Sequence, residues 1–121
     1  MATMNSTIEY IDNVKPNVYT EEDKYRWMAR LDGQVSLDVL EQTEPVVYEL
    51  PGDADKELLI PPPFDDVYGL YVAAMIDFYN KEYNNYNNSV LMFQERYEAY
   101  KAWYIRNNMP KGAGNFRNVM G

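Results

Sequence analysis

A regular spacing of aromatic and apolar residues towards the C-terminus is the strongest pattern in the chain. Intervals of three and four positions put all of these residues on one side of an α-helix. The pattern therefore predicts a long final helix, ending near Asn107, that packs along this side. We call the set the aromatic stripe, and it consists of Tyr83, Tyr86, Val90, Phe93, Tyr97, Tyr100 and Tyr104.

Three further helices are predicted before the aromatic stripe. The first spans residues 6–15, because apolar residues fall three apart there and Pro16 ends the run. The second spans about 21–40, since Thr20 can cap its start and apolar residues follow at helical spacing. The third spans about 65–83 and has aromatic and aliphatic residues along one side. The sequence therefore predicts an all-α protein, a small helical bundle of about four helices.

Two connections interrupt these predicted helices. Residues 41–63 contain five prolines and a glycine, which exclude a continuous helix. Either a long loop or a small exposed β-hairpin, pairing residues 46–50 with 57–60, fits that stretch. The asparagine-rich segment 84–88 favours a turn between the third and final helices, which would make them an antiparallel hairpin. One very long helix is the alternative.

The helical region is predicted to form one domain, residues 1–109, followed by a flexible C-terminal arm, residues 110–121. The arm begins at Pro110, and it has glycines around one aromatic residue and two basic residues. This composition is typical of a peptide that becomes ordered against a partner, although a frayed end is the simpler alternative.

The charge of the chain is unevenly distributed. The net charge is −8, and the stretch 41–66 alone carries eight acidic residues against Lys56. Its DADKE sequence, residues 53–57, resembles the start of a calcium-binding EF-hand loop. Counted from Asp53, however, the sixth and twelfth positions hold Leu58 and Phe64 where that loop requires glycine and glutamate. We therefore interpret 41–66 as a solvated acidic loop.

The residue types exclude several kinds of chemistry. The chain of 121 residues has no histidine and no cysteine, which removes the commonest general base, the commonest transition-metal ligand and the thiol nucleophile. Its paired carboxylates are explained by helix starts and exposed helix faces. The tyrosines lack the cationic groove that a nucleic-acid stacking surface needs. No apolar run approaches the roughly 18 residues of a membrane helix. We expect neither an enzyme nor a bound cofactor.

Two segments resemble the head-tail connector proteins of tailed bacteriophages and of prophages of Gram-positive hosts, a family of adaptor and head-completion proteins. The first is YTEEDKYRWMARLDGQV and the second is DKELLIPPPFDDVYGLYVAAMIDFYNKEYNNYNNSVLMFQERYEAYKAWYIRNNMPK. The resemblance lies in the whole arrangement: a Trp-bearing helix, a proline loop, a DDVYxLY opening, an aromatic final helix and a basic, glycine-rich tail.

The resemblance implies a structural protein of the virion, made in the host cytoplasm and located at the head-tail interface. Such adaptors dock on the portal protein as a ring, commonly of twelve copies. The ring extends the DNA channel without binding DNA specifically, and it presents a surface to the next head-completion or tail protein. No membrane is involved.

The resemblance also implies roles for particular residues. The C-terminal arm of these proteins commonly embeds in the portal, and the portal-binding residues here would be Lys111, Asn115, Phe116 and Arg117. An acidic loop facing the channel would repel DNA phosphates and let the duplex slide. The channel-facing residues would be Asp53, Asp55 and Glu57. The aromatic stripe would serve helix packing or the ring interface.

A second hypothesis belongs to a different class of protein. A small acidic phage-encoded binding module or inhibitor would present its carboxylates to a basic host protein. A tight one-to-one complex would identify it, whereas an adaptor assembles into rings.

Overall fold

A computed structural model describes residues 2–108 of the chain. About 66% of these described residues are helical, and they contain no β-strand. The predicted all-α class and the bundle of about four helices are therefore confirmed. In order, the elements are α1 (Met4–Val14), α2 (Glu21–Asp38), a 3₁₀ turn (Phe64–Asp66), α3 (Val67–Tyr79) and α4 (Tyr83–Asn108).

Side-chain caps determine where the first two helices begin. Thr3 caps α1 in a reciprocal arrangement with Ser6, so α1 begins at Met4, two residues earlier than predicted. Thr20 caps α2 by accepting a hydrogen bond from the backbone N–H of Asp23 at 3.1 Å. These bonds satisfy N–H groups that a helix start otherwise leaves without a partner.

Helix α3 is the centre of the bundle, and α1, α2 and α4 all pack against it. Its sequence is apolar on nearly every side, which is the pattern of a helix buried among others. Val67, Val72 and Ile76 are completely buried there. They meet apolar residues of α1 and α2, including Ile11, Met28, Leu31 and Val35.

The turn between α3 and α4 is not where the sequence predicted it. The two helices do form an antiparallel hairpin, but the chain reverses at residues 80–82 and the segment 84–88 lies inside α4. The reversal uses a left-handed backbone at Lys81, with φ of 62°. The weak helix propensity of the asparagines is overridden by packing, because Tyr86 contacts Phe78 of α3.

The stretch 41–63 is a loop, so the first of the two alternatives is confirmed and the β-hairpin alternative is wrong. Residues 46–50 do not pair with 57–60, and some N–H groups of the loop form local turns instead, such as that of Asp53 to the carbonyl oxygen of Glu49 at 2.8 Å. Further backbone donors bind to the helical bundle and the N-terminus. Among these donors, the N–H of Val46 binds Ser36 Oγ at 3.0 Å and the N–H of Leu58 binds the carbonyl oxygen of Ala2 at 2.9 Å. A short strand gains little when side chains of the neighbouring helices already satisfy the same groups.

Candidate protein interaction site

Helix α4 lies at the edge of the bundle and leaves most of its surface exposed. Of its 26 residues, only Tyr97 and Tyr100 are buried. The inward side is the aromatic stripe, whose C-terminal members Phe93, Tyr97, Tyr100 and Tyr104 pack with the core. Tyr86 contacts Phe78, whereas the side chain of Tyr83 is 55% exposed. Most of the stripe therefore serves helix packing within the chain.

The outward side of α4 carries apolar side chains at intervals. Leu91, Met92 and Ile105 are each about half exposed or more. Glu95 and Glu98 lie between them on the same helix and are exposed too. Leu91 and Met92 are neighbours in the sequence, so they form a small continuous apolar area on a helix side that no other part of the described chain covers.

Polar contacts anchor the middle of α4 to the rest of the chain. Arg96 pairs with Asp66 at 3.1 Å and donates to the carbonyl oxygen of Pro63 at 2.9 Å. Its guanidinium also lies over the ring of Phe64, 5.5 Å from the centroid. These bonds hold α4 against the 3₁₀ turn that begins α3.

Two tyrosines of α4 contribute to the same anchoring. Tyr97 donates its hydroxyl hydrogen to Asp38 of α2 at 3.0 Å. Burial, and then the hydrogen bond to Asp38, raise the pKa of Tyr97. Burial raises the pKa of Tyr100 to about 12. Both phenols therefore stay neutral at physiological pH, so that Tyr97 keeps its donor hydrogen.

The three acidic residues predicted to face a DNA channel lie together on the loop, close to the start of α1. Asp53 is half-buried and accepts a bond from the N–H of Glu49 at 2.8 Å. That bond, together with Lys56, lowers the pKa of Asp53. Asp55 is exposed and accepts from Asn5 at 2.8 Å, and Glu57 is exposed as well.

A buried carboxylate, which the sequence interpretation missed, fixes the acidic loop to the bundle. Asp32 of α2 is completely buried. It accepts hydrogen bonds from the Tyr48 hydroxyl at 2.7 Å, the Leu59 N–H at 3.1 Å and the Tyr68 hydroxyl at 2.5 Å. Tyr68 in turn accepts from the N–H of Ile60 at 2.8 Å. Two separate parts of the loop are thereby tied to one side chain.

Burial raises the pKa of Asp32, while its three hydrogen bonds act in the opposite direction. Burial raises the pKa of Tyr68 as well, so this phenol keeps the hydrogen that it donates. A sequence signal for the cluster did exist. Asp32 is four positions after Met28 and three before Val35, both of which are buried, so it falls on the apolar side of α2.

A second buried carboxylate joins three helices. Asp77 of α3 is completely buried, and its Oδ1 lies 2.6 Å from the Nζ of Lys15, at the end of α1. Its Oδ2 accepts from the hydroxyl of Ser89 in α4 at 3.1 Å. The ammonium therefore compensates a charge that would otherwise be very costly to bury.

Two of the open depressions in the described part of the chain lie beside the first helices, and the sequence did not predict them. One, of about 510 Å³, runs between α1 and α3, with Ile11, Val14 and Leu70 along it and Asp65 at its edge. The other, of about 280 Å³, lies beside α2 and is lined by Tyr19, Asp23, Arg26, Trp27, Arg30 and Tyr79.

The predicted portal-binding residues, Lys111, Asn115, Phe116 and Arg117, lie outside the described residues. Within residues 2–108, no group of three or more acidic side chains is arranged to hold a metal ion. In the same part of the chain, no helix combines the length and the apolar character that crossing a membrane requires.

Comparisons with known proteins gave no relative. No protein-family model matches the sequence, and neither a curated protein nor a solved structure shows significant similarity to it. The functional interpretation therefore rests on the surfaces described above and on the sequence resemblance.

Proposed function

We propose that this protein is a structural assembly protein, an adaptor at the head-tail interface of a tailed phage or prophage. It docks as a ring on the portal protein, extends the DNA channel and offers a surface to the next head-completion or tail protein. The observation that best supports this role is α4, a 26-residue helix with two buried residues and an outer side that carries exposed apolar groups. Such a helix is long enough to contact several partners at once.

The length of α4 relative to α3 supports a role in docking. At 1.5 Å per residue, α4 is about 39 Å long and α3 about half of that. Since Arg96 in the middle of α4 pairs with Asp66 just before α3, the second half of α4 extends past the start of α3. That half leads directly to the predicted portal-binding arm.

The acidic loop supports a channel-lining role. Asp55 and Glu57 are exposed, and the loop that carries them is held by Asp32. Carboxylates at fixed positions repel phosphates, and a duplex then passes without being bound. In this proposal Asp53, Asp55 and Glu57 face the lumen of the ring.

A pull-down from phage-producing cells tests the proposal. The protein carries an N-terminal tag so that its C-terminus stays free, and partners are identified by mass spectrometry while eluates are viewed by electron microscopy. We expect a portal protein in ring-shaped complexes. Deleting residues 111–121 should abolish portal recovery. A matched control that replaces only Asn118 and Val119 with alanine should retain it. Recovery of no portal and no ring from producing cells would contradict the proposal.

One observation favours a second function. The loop presents exposed carboxylates in a fixed arrangement, which also suits an acidic module or inhibitor that binds a basic host protein. The same pull-down separates the two functions, because an inhibitor would recover a single host protein in a one-to-one complex.

A further inference from the structure

A group of rings and arginines, all exposed except the buried Trp27, lies where α2 meets the end of α3. We call it the aromatic-arginine patch, and its members are Arg26, Trp27, Arg30, Phe78 and Tyr79. Trp27 stacks on Tyr79 with centroids 5.6 Å apart and planes 10° apart. Phe78 meets Tyr79 edge-on at 5.3 Å. Phe78 and Tyr79 are nevertheless 42% and 50% exposed.

The arginines of the patch are available to a partner. Arg30 is exposed and forms no ion pair within residues 2–108. Arg26 is exposed too, and it makes only two solvent-exposed pairs, with Glu22 at 3.4 Å and Asp23 at 3.9 Å. Exposed pairs of this kind contribute little and exchange easily. Arginine and aromatic residues are enriched at the centres of protein interfaces.

The acidic loop carries a surface of complementary chemistry. In the extended stretch 45–49, Val46 and Tyr48 contact the bundle through Ser36 and Asp32. Glu44, Val47 and Glu49, in and beside this stretch, are exposed, and the exposed fraction of Val47 is 78%. We call these three residues the outer ridge. Neither glutamate forms an ion pair among the described residues.

We propose that the outer ridge of one copy docks on the aromatic-arginine patch of the next copy. Val47 packs on Tyr79, and Glu44 and Glu49 pair with Arg26 and Arg30. The proposal deepens the adaptor function and rests on its ring. It specifies which surfaces of neighbouring subunits meet.

The placement of the two surfaces on the subunit suits a ring. Val46 of the ridge stretch bonds to Ser36 and lies against Gly33, and these two positions of α2 project roughly 120° and 60° away from Arg30 of the patch around the helix. In a ring, each subunit shows one surface to one neighbour and a different surface to the other. The outer ridge and the aromatic-arginine patch are two distinct surfaces of complementary chemistry on different sides of α2, which meets this requirement.

The surroundings of the patch favour a protein partner over a nucleic acid. Asp23 lies in the same depression as the two arginines, and the chain has a net charge of −8. Phosphate backbones are bound by continuous basic surfaces, which would here be interrupted by that carboxylate. A partner with two separated carboxylates around an apolar side chain fits better, and the outer ridge has that composition.

Cross-linking tests the contact cleanly, because the natural chain has no cysteine. Thr43→Cys, beside the ridge, and Glu82→Cys, beside the patch, are introduced together, and portal-bound rings are treated with a short bismaleimide. Since the two positions belong to different surfaces, linked copies should form a ladder whose highest rung gives the copy number. Each single variant should give dimers at most, and the control pair Thr43→Cys with Glu9→Cys should give no ladder.

Charge reversal tests the chemistry of the contact. Arg26→Glu with Arg30→Glu should lower the yield of the ladder about tenfold or more, because like charges then face each other across the interface. Adding Glu44→Arg and Glu49→Arg in the same chain should restore it. Circular dichroism of each variant verifies that the fold is intact. The proposal is overturned if charge reversal leaves the yield of the ladder unchanged. It is also overturned if the two glutamate substitutions fail to restore the ladder in protein that is folded.

The outcomes for the ring and for the contact are separable. Portal-bound rings that give no ladder overturn this contact and leave the adaptor function standing. If no rings are recovered, the adaptor function fails, and the contact is tested with concentrated purified protein. A ladder from the purified protein would support the contact, and the absence of a ladder would overturn it.

Discussion

Tyr68 of α3 donates its hydroxyl hydrogen to the carboxylate of Asp32 in α2 at 2.5 Å, and both side chains are completely buried. Because the Tyr68 oxygen also accepts from the N–H of Ile60, one phenol joins two helices and the end of the acidic loop. The position of the loop, and of the residues proposed to line a channel, therefore depends on a cluster beneath the surface.

Replacing Tyr68 with phenylalanine should destabilise the fold. It leaves Asp32 one donor short and the N–H of Ile60 without an acceptor, so we expect a loss of about 1–3 kcal/mol in the free energy of unfolding. Urea unfolding measures this. Tyr71→Phe is the matched control, because Tyr71 lies on the same helix and its hydroxyl makes no hydrogen bond within residues 2–108. Equal losses in the two variants would contradict the role of the cluster.

The cluster should also make stability depend on pH. Burial raises the pKa of Asp32 above its ordinary value of 3.8. The stability that this group contributes is therefore fully present below pH 3.8 and is lost as the pH rises through the folded-state pKa. Asp32→Asn removes this titration. The free energy of unfolding of the natural protein minus that of the variant should be largest at acid pH and should shrink as the pH rises. Urea unfolding from acid to neutral pH measures this difference in free energy. A difference that grows with pH would contradict the raised pKa of Asp32.

The pairing of Lys15 with Asp77 should be strongly coupled. Lys15→Met leaves a buried carboxylate without its cation, and we expect a loss of about 2–4 kcal/mol in the free energy of unfolding. Asp77→Asn in the same chain should recover part of it, since no charge then remains to be compensated. A double-mutant cycle by chemical denaturation gives the coupling energy, and additive losses would show that the two side chains do not interact.

The turn between α3 and α4 can be located by two substitutions. Lys81→Gly should stabilise the protein by about 1 kcal/mol, because glycine adopts the left-handed backbone without the cost that a Cβ imposes. Asn87→Ala should also stabilise, by about 0.5 kcal/mol, because residue 87 is exposed inside α4. Thermal or urea unfolding measures both. If the chain instead reversed at 84–88, Lys81→Gly would destabilise the fold and Asn87→Ala would bring no gain.

Local signals were sufficient to predict the helices. Thr20 and Pro16 limit α2 and α1 close to the predicted residues, because caps and prolines act on the backbone next to them. The aromatic stripe predicted α4, since a periodic pattern over many residues outweighs the weak propensity of a few asparagines. The turn at Lys81 was missed because a left-handed lysine has no sequence signature.

Contacts between distant residues were beyond the sequence alone. Residues 46–50 look like a strand, yet their N–H groups find Ser36 and Asp53, and only the folded arrangement shows this. The aromatic-arginine patch was missed for the same reason, because Trp27 and Tyr79 are 52 positions apart and are brought together by packing. Asp32 is different, because its place on the apolar side of α2 can be read from the sequence, although its hydrogen-bond partners cannot.

Most basic side chains in the described part of the chain are already engaged by acidic residues of the same molecule, as Lys24 is by Asp12 and Lys101 by Asp38. The electric field that reaches beyond the surface is therefore dominated by the remaining carboxylates. At physiological salt this field extends over about 8 Å, so two copies that meet at random repel each other before their surfaces touch. In the proposed ring this repulsion opposes the approach of neighbouring copies, so a partner that supplies positive charge would decide when the copies assemble.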